Sequence, residues 1–233
     1  MIPQPTVLYV DNHVLALGKP ACMPCVPDES GDPSLLDWGK DWIAKRFQKP
    51  GAVFLGTVHR LDRPVSGVVV FGRTSKGAAR LSEAFRAHRT QKVYWAVLPA
   101  APERTSGTIE HSLRKDTTHN RTAVVAPDAF GAKPARTTYR TLEVRAGRAL
   151  VELRPQTGRP HQLRVAMASL GLPILGDLRY GARDPLPDRS IALHAVALQV
   201  PHPTLDEVLE LQVAPPEWEI WDWRAVQDLG DPS

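Results

Sequence analysis

Cysteine is scarce in this chain: Cys22 and Cys25 are the only two among 233 residues. A structural zinc site takes four ligands, and no second cysteine pair exists to complete one. A redox C-x-x-C wants a helix opening at its first cysteine, whereas Pro20, Pro24 and Pro27 surround this pair and predict an extended loop. Two small, partly buried thiols are the reading that remains. Long apolar runs are missing too, since "GVVVFG" falls far short of the roughly 20 residues of a membrane helix. The opening "MIPQPTVLYVDNH" lacks a basic start followed by an apolar stretch, so no signal peptide is expected and the cytoplasm is. No repeat, low-complexity tract or linker divides the chain, which predicts a single domain over residues 1–233 with a frayed tail from about 228. Nucleotide-binding and metal-binding motifs are also absent.

What is present is ordinary for a soluble globular protein: 42% hydrophobic and 23% charged residues. Net charge is +4, with Arg well ahead of Lys. Arg offers a flat forked donor suited to phosphates and to stacking on bases, so the balance leans toward nucleic acid.

"TVLYVDNHVLALGKP" reads as two strands about an Asp11-Asn12 turn. "DPSLLDWGKDWIAKRFQ" has the apolar spacing of a helix, capped by Asp32 with Pro33 or by Ser34. A strand is expected over "AVFLGTVHRLD" and a buried one over "SGVVVFGRT", where apolar residues run without alternation. "TSKGAARLSEAFRAHRTQ" is an amphipathic helix with Leu81, Phe85 and His88 on one face. "KVYWAVLPA" returns as a strand, and residues 107–154 hold four more, including a hairpin through "AGR". "TGRPHQLRVAMASLG" predicts a helix with Pro160 early and Gly171 as its stop, followed by strands in "IALHAVALQVPHP" and "EVLELQVAP". The fold class is α+β, a mixed, largely antiparallel sheet with flanking helices.

Two clusters carry candidate chemistry. "HRLDRPVSG" sets Asp62 among His59, Arg60 and Arg63. In an extended strand Arg60 and Asp62 point to one side, and a nearby cation keeps a carboxylate charged. Arg60, Arg63 and the distant Arg164 are candidates for that partner, while a surface salt-bridge network is the bland alternative. The second cluster, "QTGRPHQLR", puts Arg159, His161, Gln162 and Arg164 at a helix start, where free N–H groups suit an anion such as phosphate. A capping or packing role is the bland alternative for His161.

Both clusters resemble one family, the RluA-type pseudouridine synthases. "HRLDRPVSG" is similar to its His-Arg-Leu-Asp-x-x-Thr-Ser-Gly signature, "KVYWAVL" to its Lys-x-Tyr segment, and "TGRPHQLRVAMASLGLPILGDLRYG" to its Thr-Gly-Arg-x-His-Gln-Ile-Arg stretch ending in Gly-Asp-x-x-Tyr-Gly. "LYVDNHVLALGKPA" and "IALHAVALQVPHP" resemble its opening and closing segments, all in family order over residues 7 to about 203. Val65 stands where Thr is usual and Cys22 where Gly is usual, while Ala166 and Leu172 stand where many members carry His. These departures flank the key residues, which directs their effect to substrate choice more than to activity. The chain is similar to the short subgroup without an S4-type module.

The resemblance implies a central cleft in a synthase-like fold, and isomerisation of a uridine in structured RNA, transfer or ribosomal, to pseudouridine. It implies catalytic roles for Asp62, Tyr94 and Arg164: the reacting carboxylate, a ring against the uracil, and the salt-bridge partner of Asp62. Arg60 would fill the gap left by a flipped-out base. His59, Arg159, His161 and Leu163 would complete the substrate site. No cofactor or metal, no membrane and a monomer are expected. Cleaving N1–C1′ builds positive charge on the sugar, which a carboxylate can stabilise or trap. Taking the 2′ proton or attacking C6 are equally open to Asp62. A non-catalytic RNA-binding protein on the same fold, and a metal-dependent hydrolase built on His59, Asp62 and His161, are the rival readings.

Overall fold

A computed structural model describes residues 4–230. Its elements in chain order are β1 (Thr6–Val10), β2 (Val14–Lys19), α1 (Leu35–Arg46), β3 (Gly56–Thr57), β4 (Ser66–Gly72), α2 (Ser75–Arg86), β5 (Gln91–Leu98), β6 (Ser106–Asp116), β7 (Arg121–Val125), β8 (Lys133–Arg145), β9 (Arg148–Pro155), α3 (Gln162–Ser169), β10 (Leu193–Pro201), β11 (Val208–Gln212) and α4 (Arg224–Gly230). The architecture is the expected α+β one, a mixed, largely antiparallel sheet with a few helices. No helix among the described residues is long and apolar enough to cross a membrane. The chain forms two compact units, one of residues up to Gln91 with Ala195–Val213, the other of Lys92–His194 with the chain from Ala214.

In the first unit the strands run β1-β2-β4-β10, with β11 on β10 and β3 on β4. Every residue of β2 and β4 is buried, which explains why neither alternates. Val14, Ala16, Val68 and Val70 face Leu81 and Ala84 of α2, while on the opposite face Gly39 of α1 fits against Leu15 and Leu17. The β1–β2 turn is an Asx turn: Asp11 Oδ1 accepts from the N–H groups of His13 and Val14. Ser34 caps α1, its Oγ accepting from Asp37 N at 3.2 Å.

The second unit is built on the strand order β5-β9-β8-β6-β7, with antiparallel neighbours. Ala146 and Gly147, both at positive φ, make the predicted hairpin turn between β8 and β9. On this sheet α3 brings Val165 and Ala168 against Leu113, Ala135 and Tyr180.

Three expectations need correction. The strand expected over 52–62 shrinks to Gly56–Thr57, and residues 58–62 are irregular, so strand parity cannot align Arg60 with Asp62. His88 lies beyond the end of α2, exposed and at φ 54°. The third helix starts at Gln162, after Pro160, because His161 sits in the left-handed region at φ 54°. Residues 228–230 of the tail are helical, and 231–233 lie outside the described residues.

Candidate active site

Asp62 opens a tight turn: its carbonyl accepts from Val65 N at 3.0 Å, so Val65 closes the turn through its backbone and needs no hydroxyl. The residues on either side are tied to the 19–25 segment. Before Asp62, the Cys25 thiol donates to Leu61 O at 3.4 Å and accepts from Leu61 N at 3.3 Å. Burial pushes that thiol up in pKa, against the pull of the Lys19 ammonium, so the donor proton stays on sulfur. After Asp62, Arg63 O accepts from Lys19 Nζ at 3.1 Å, and Arg63 Nε donates to Cys22 O at 3.1 Å.

Lys19 is the centre of this clamp. Only 2% exposed, it also donates to Pro20 O and Met23 O. Desolvation lowers its pKa to about 8 from 10.5, against the favourable fields of Cys25, Cys22 and Asp62. Cys22 has φ 65°, a conformation that favours glycine, which gives a physical reason for the glycine usual at that place. The two cysteines thus serve as loop geometry.

Arg63 turns away from the role of neutralising Asp62. Its guanidinium pairs with Asp28 and Asp32 and donates to Ser30 Oγ. Arg60 is exposed. His59 accepts from Val70 N at Nε2, 3.0 Å, and stacks on Phe85 of α2 with centroids 4.5 Å apart. That acceptor role puts the proton of the neutral ring on Nδ1.

In the second unit Arg164 and Asp177 form a bidentate pair, Nε to Oδ2 and Nη2 to Oδ1, both at 2.7 Å. The two side chains are 5% and 1% exposed. So planar a grip fixes the plane of the guanidinium. Its carbon also stands 5.0 Å from the centroid of Tyr180, a stacked cation–π contact. The Tyr180 hydroxyl accepts from Thr122 N at 2.9 Å and lies 2.7 Å from His161 Nδ1. Burial raises the Tyr180 pKa, which keeps the hydroxyl neutral.

Gln162 completes the framework. Its Oε1 accepts from Thr157 Oγ1 and from Arg159 N, while Nε2 donates to Arg136 O and Thr137 Oγ1. His161, Gln162, Leu163 and Arg164 are all buried, and Arg159 donates its Nε to Pro134 O. The start of α3 is therefore a scaffold in which Gln162 and the Nε of Arg159 are tied to protein groups. Tyr94 sits on β5 opposite Leu153, half-buried, on the same strand face as Lys92. Lys92 donates to Thr157 O at 3.4 Å, and burial lowers its pKa.

The structure thus brings Asp62 together with Lys19, Cys25 and Arg63 in one unit, and Arg164 together with Asp177, Tyr180 and His161 in the other. Lys19, Cys25, Asp177 and Tyr180 carry no role in the sequence reading. The signal for three of them was present in the Lys-Pro and Gly-Asp-x-x-Tyr-Gly segments. No three His, Cys, Asp or Glu side chains group as a metal site among the described residues, and His161 is engaged by Tyr180.

Comparison with known proteins agrees with the motifs. The family model described as RNA pseudouridylate synthase matches residues 13–169. An uncharacterized RNA pseudouridine synthase of Zymomonas mobilis is 37% identical over 83% of this chain and 86% of its own. The dual-specificity RNA pseudouridine synthase RluA of Salmonella typhi is 34% identical over 91% and 93%. Among solved structures, the human RNA pseudouridylate synthase domain containing 4 superposes with a TM-score of 0.75 at 25% identity, covering 91% of this chain and 88% of that one. Likeness of this extent in sequence and in fold has one meaning: the chain belongs to the RNA pseudouridylate synthase family and is by that membership an isomerase.

Proposed function

We propose that the protein converts one specific uridine in a structured RNA, a transfer RNA or a ribosomal stem-loop, to pseudouridine, with Asp62 as the reacting group and the target base turned out of its helix. The reaction breaks N1–C1′, turns the uracil over and forms C5–C1′, so it needs no electron or group donor. Asp62 meets the positive charge that develops on the sugar, by attack on C1′, by removal of the 2′ proton or by addition to C6. Arg164 is taken in this reading as the salt-bridge partner of Asp62. Tyr94 stacks on the uracil, and its hydroxyl relays the C5 proton in the last step. Arg60, exposed on an irregular segment, is suited to slide its flat guanidinium into the gap left in the RNA stack. His59, Arg159, His161 and Leu163 shape the substrate site.

The observation that carries this reading is the double anchoring of the Asp62 turn, through Cys25 to Leu61 on one side and Lys19 to Arg63 on the other. A buried ammonium is an expensive way to shape a loop. It is an apt way to hold still the turn that carries a reacting carboxylate while charge develops against it. The deciding experiment compares Asp62→Ala with the wild type on C5-tritiated RNA. The variant should release no tritium while its RNA affinity stays within a few-fold. Full tritium release would end the proposal, and a wild type that binds RNA without releasing tritium would make the protein a binder on the same fold.

A further inference from the structure

Between β7 and β8 the chain runs Ala126-Pro127-Asp128-Ala129-Phe130-Gly131-Ala132, and Phe130 is 96% exposed. Burying a phenyl ring is favourable, and this one is held wholly in water. The ring is not carried on a slack loop. Ala129 N donates to Ala126 O at 3.0 Å and Ala132 N to Ala129 O at 2.9 Å, which makes two turns in tandem. Pro127 takes the second position of the first, where its fixed φ fits. Gly131, at φ 76°, takes the third position of the second, the place where a type II turn needs a positive φ. Phe130 is left at the second position, on a backbone with little freedom to fold the ring back.

The surroundings are basic. The aliphatic stem of Arg114 lies in van der Waals range of Gly131, since a Cβ built there would stand 3.9 Å from Arg114 Cδ. Lys133 begins β8, pairs with Leu113 and is exposed, as is Arg121 at the start of β7. Asp128 is the one acid between residues 121 and 136. A lone rigid ring among cations is too small for a stable protein interface, which needs an apolar core of many residues. It matches what an unpaired nucleotide offers, a flat base beside a phosphate.

We propose that Phe130 is a stacking platform for an unpaired base of the RNA other than the isomerised uridine, with Arg114 and Lys133 on the adjoining phosphates. The inference rests on the RNA-modifying reading above and adds to it a second point of contact. The platform acts on binding and not on chemistry, so its loss raises KM and leaves kcat in place.

The test measures binding of unfractionated transfer RNA and of a poly(uridine) strand by the intact protein and its variants. Phe130→Ala should weaken both by about 5- to 100-fold, the range for loss of one stacked base. Phe130→Tyr should restore affinity to within about twofold, because the ring and not its bulk is what binds. Arg114→Gln combined with Lys133→Gln should flatten the salt dependence by about two units of slope, whereas Phe130→Ala should leave that slope unchanged. All three sites are exposed, and unchanged thermal melting confirms that the fold is intact. Wild-type affinity in Phe130→Ala, with Asp62→Ala still binding and inactive, would overturn the platform and spare the RNA reading. Loss of self-association in Phe130→Ala without loss of RNA affinity would assign the ring to a protein contact and overturn it equally. A wild-type protein that binds neither RNA would remove both proposals.

Discussion

Replacing Lys19 by Met tests the clamp on Asp62 through its pH dependence. The ammonium has a pKa of about 8 in the fold against 10.5 when unperturbed. Each unit is worth 1.36 kcal/mol, so the charged form costs the fold roughly 3 kcal/mol below about pH 8. Between the two values the unfolded chain holds more protons than the folded one, and stability therefore rises with pH. From about pH 7 to pH 10 the wild type should gain roughly 2 to 3 kcal/mol that a methionine cannot provide. At neutral pH the substitution removes that desolvation cost but strips the donor from Pro20 O, Met23 O and Arg63 O. Three orphaned acceptors at about 1–3 kcal/mol each outweigh the relief, so Lys19→Met should be the less stable protein throughout. The gap should widen as pH rises. Urea unfolding of both proteins, followed by tryptophan fluorescence across that pH range, reads the difference directly, and changes common to both cancel. A difference that stays flat, or that narrows toward high pH, would refute the assignment of a desolvated ammonium.

Two further substitutions test the framework of the site. Asp177→Ala leaves the buried Arg164 charge without its bidentate partner and should cost about 3–5 kcal/mol in urea unfolding, whereas Arg164→Met with Asp177→Leu should recover most of that loss in a protein that stays inactive. A double variant no more stable than Asp177→Ala would show that the pair is not the main element there. Gly67→Ala places a Cβ 2.3 Å from Ala195 O at φ 123°, so strain and overpacking together should cost about 3 kcal/mol or more. A loss below about 1 kcal/mol on denaturant unfolding would show that β4 and β10 can move apart without penalty.

The sequence made the regular elements legible wherever one local rule decided the backbone. The unalternated valines of β4 announced a strand buried on both faces; α2 covers one face, and α1 packs on the opposite face of the neighbouring β2. Ala146-Gly147 supplied the left-handed pair that a tight hairpin requires. Local rules failed where side chains replace the backbone ladder. Residues 58–62 have the apolar content of a strand, yet Val70 N spends its hydrogen bond on His59 Nε2, and Cys25 sulfur takes Leu61 N. Spacing does not disclose such substitutions. Nor does it disclose which acid a given Arg will meet. Arg63 stands beside Asp62 in the chain, but the acidic loop carrying Asp28 and Asp32 claims it. The prolines around Cys22 and Cys25 correctly spoke against a redox helix, though nothing in that pattern marks Cys25 as a hydrogen-bonding strut.

The partners chosen by Asp62 and Arg164 have a common logic. On the proposed reading, a carboxylate that meets a developing charge, and a guanidinium that stays oriented, are useful only if neither has to reorganise during the reaction. Each is held by groups of its own compact unit: Asp62 by a turn stapled through Lys19 and Cys25, Arg164 by Asp177 and the face of Tyr180. Their geometry is thus set before RNA arrives. It follows that variants in the two anchor sets should differ in kind from Asp62→Ala. Loosening an anchor spreads the reactive group over several orientations and lowers the rate by a factor, while leaving the group's chemistry available. Removing the carboxylate leaves nothing to recover.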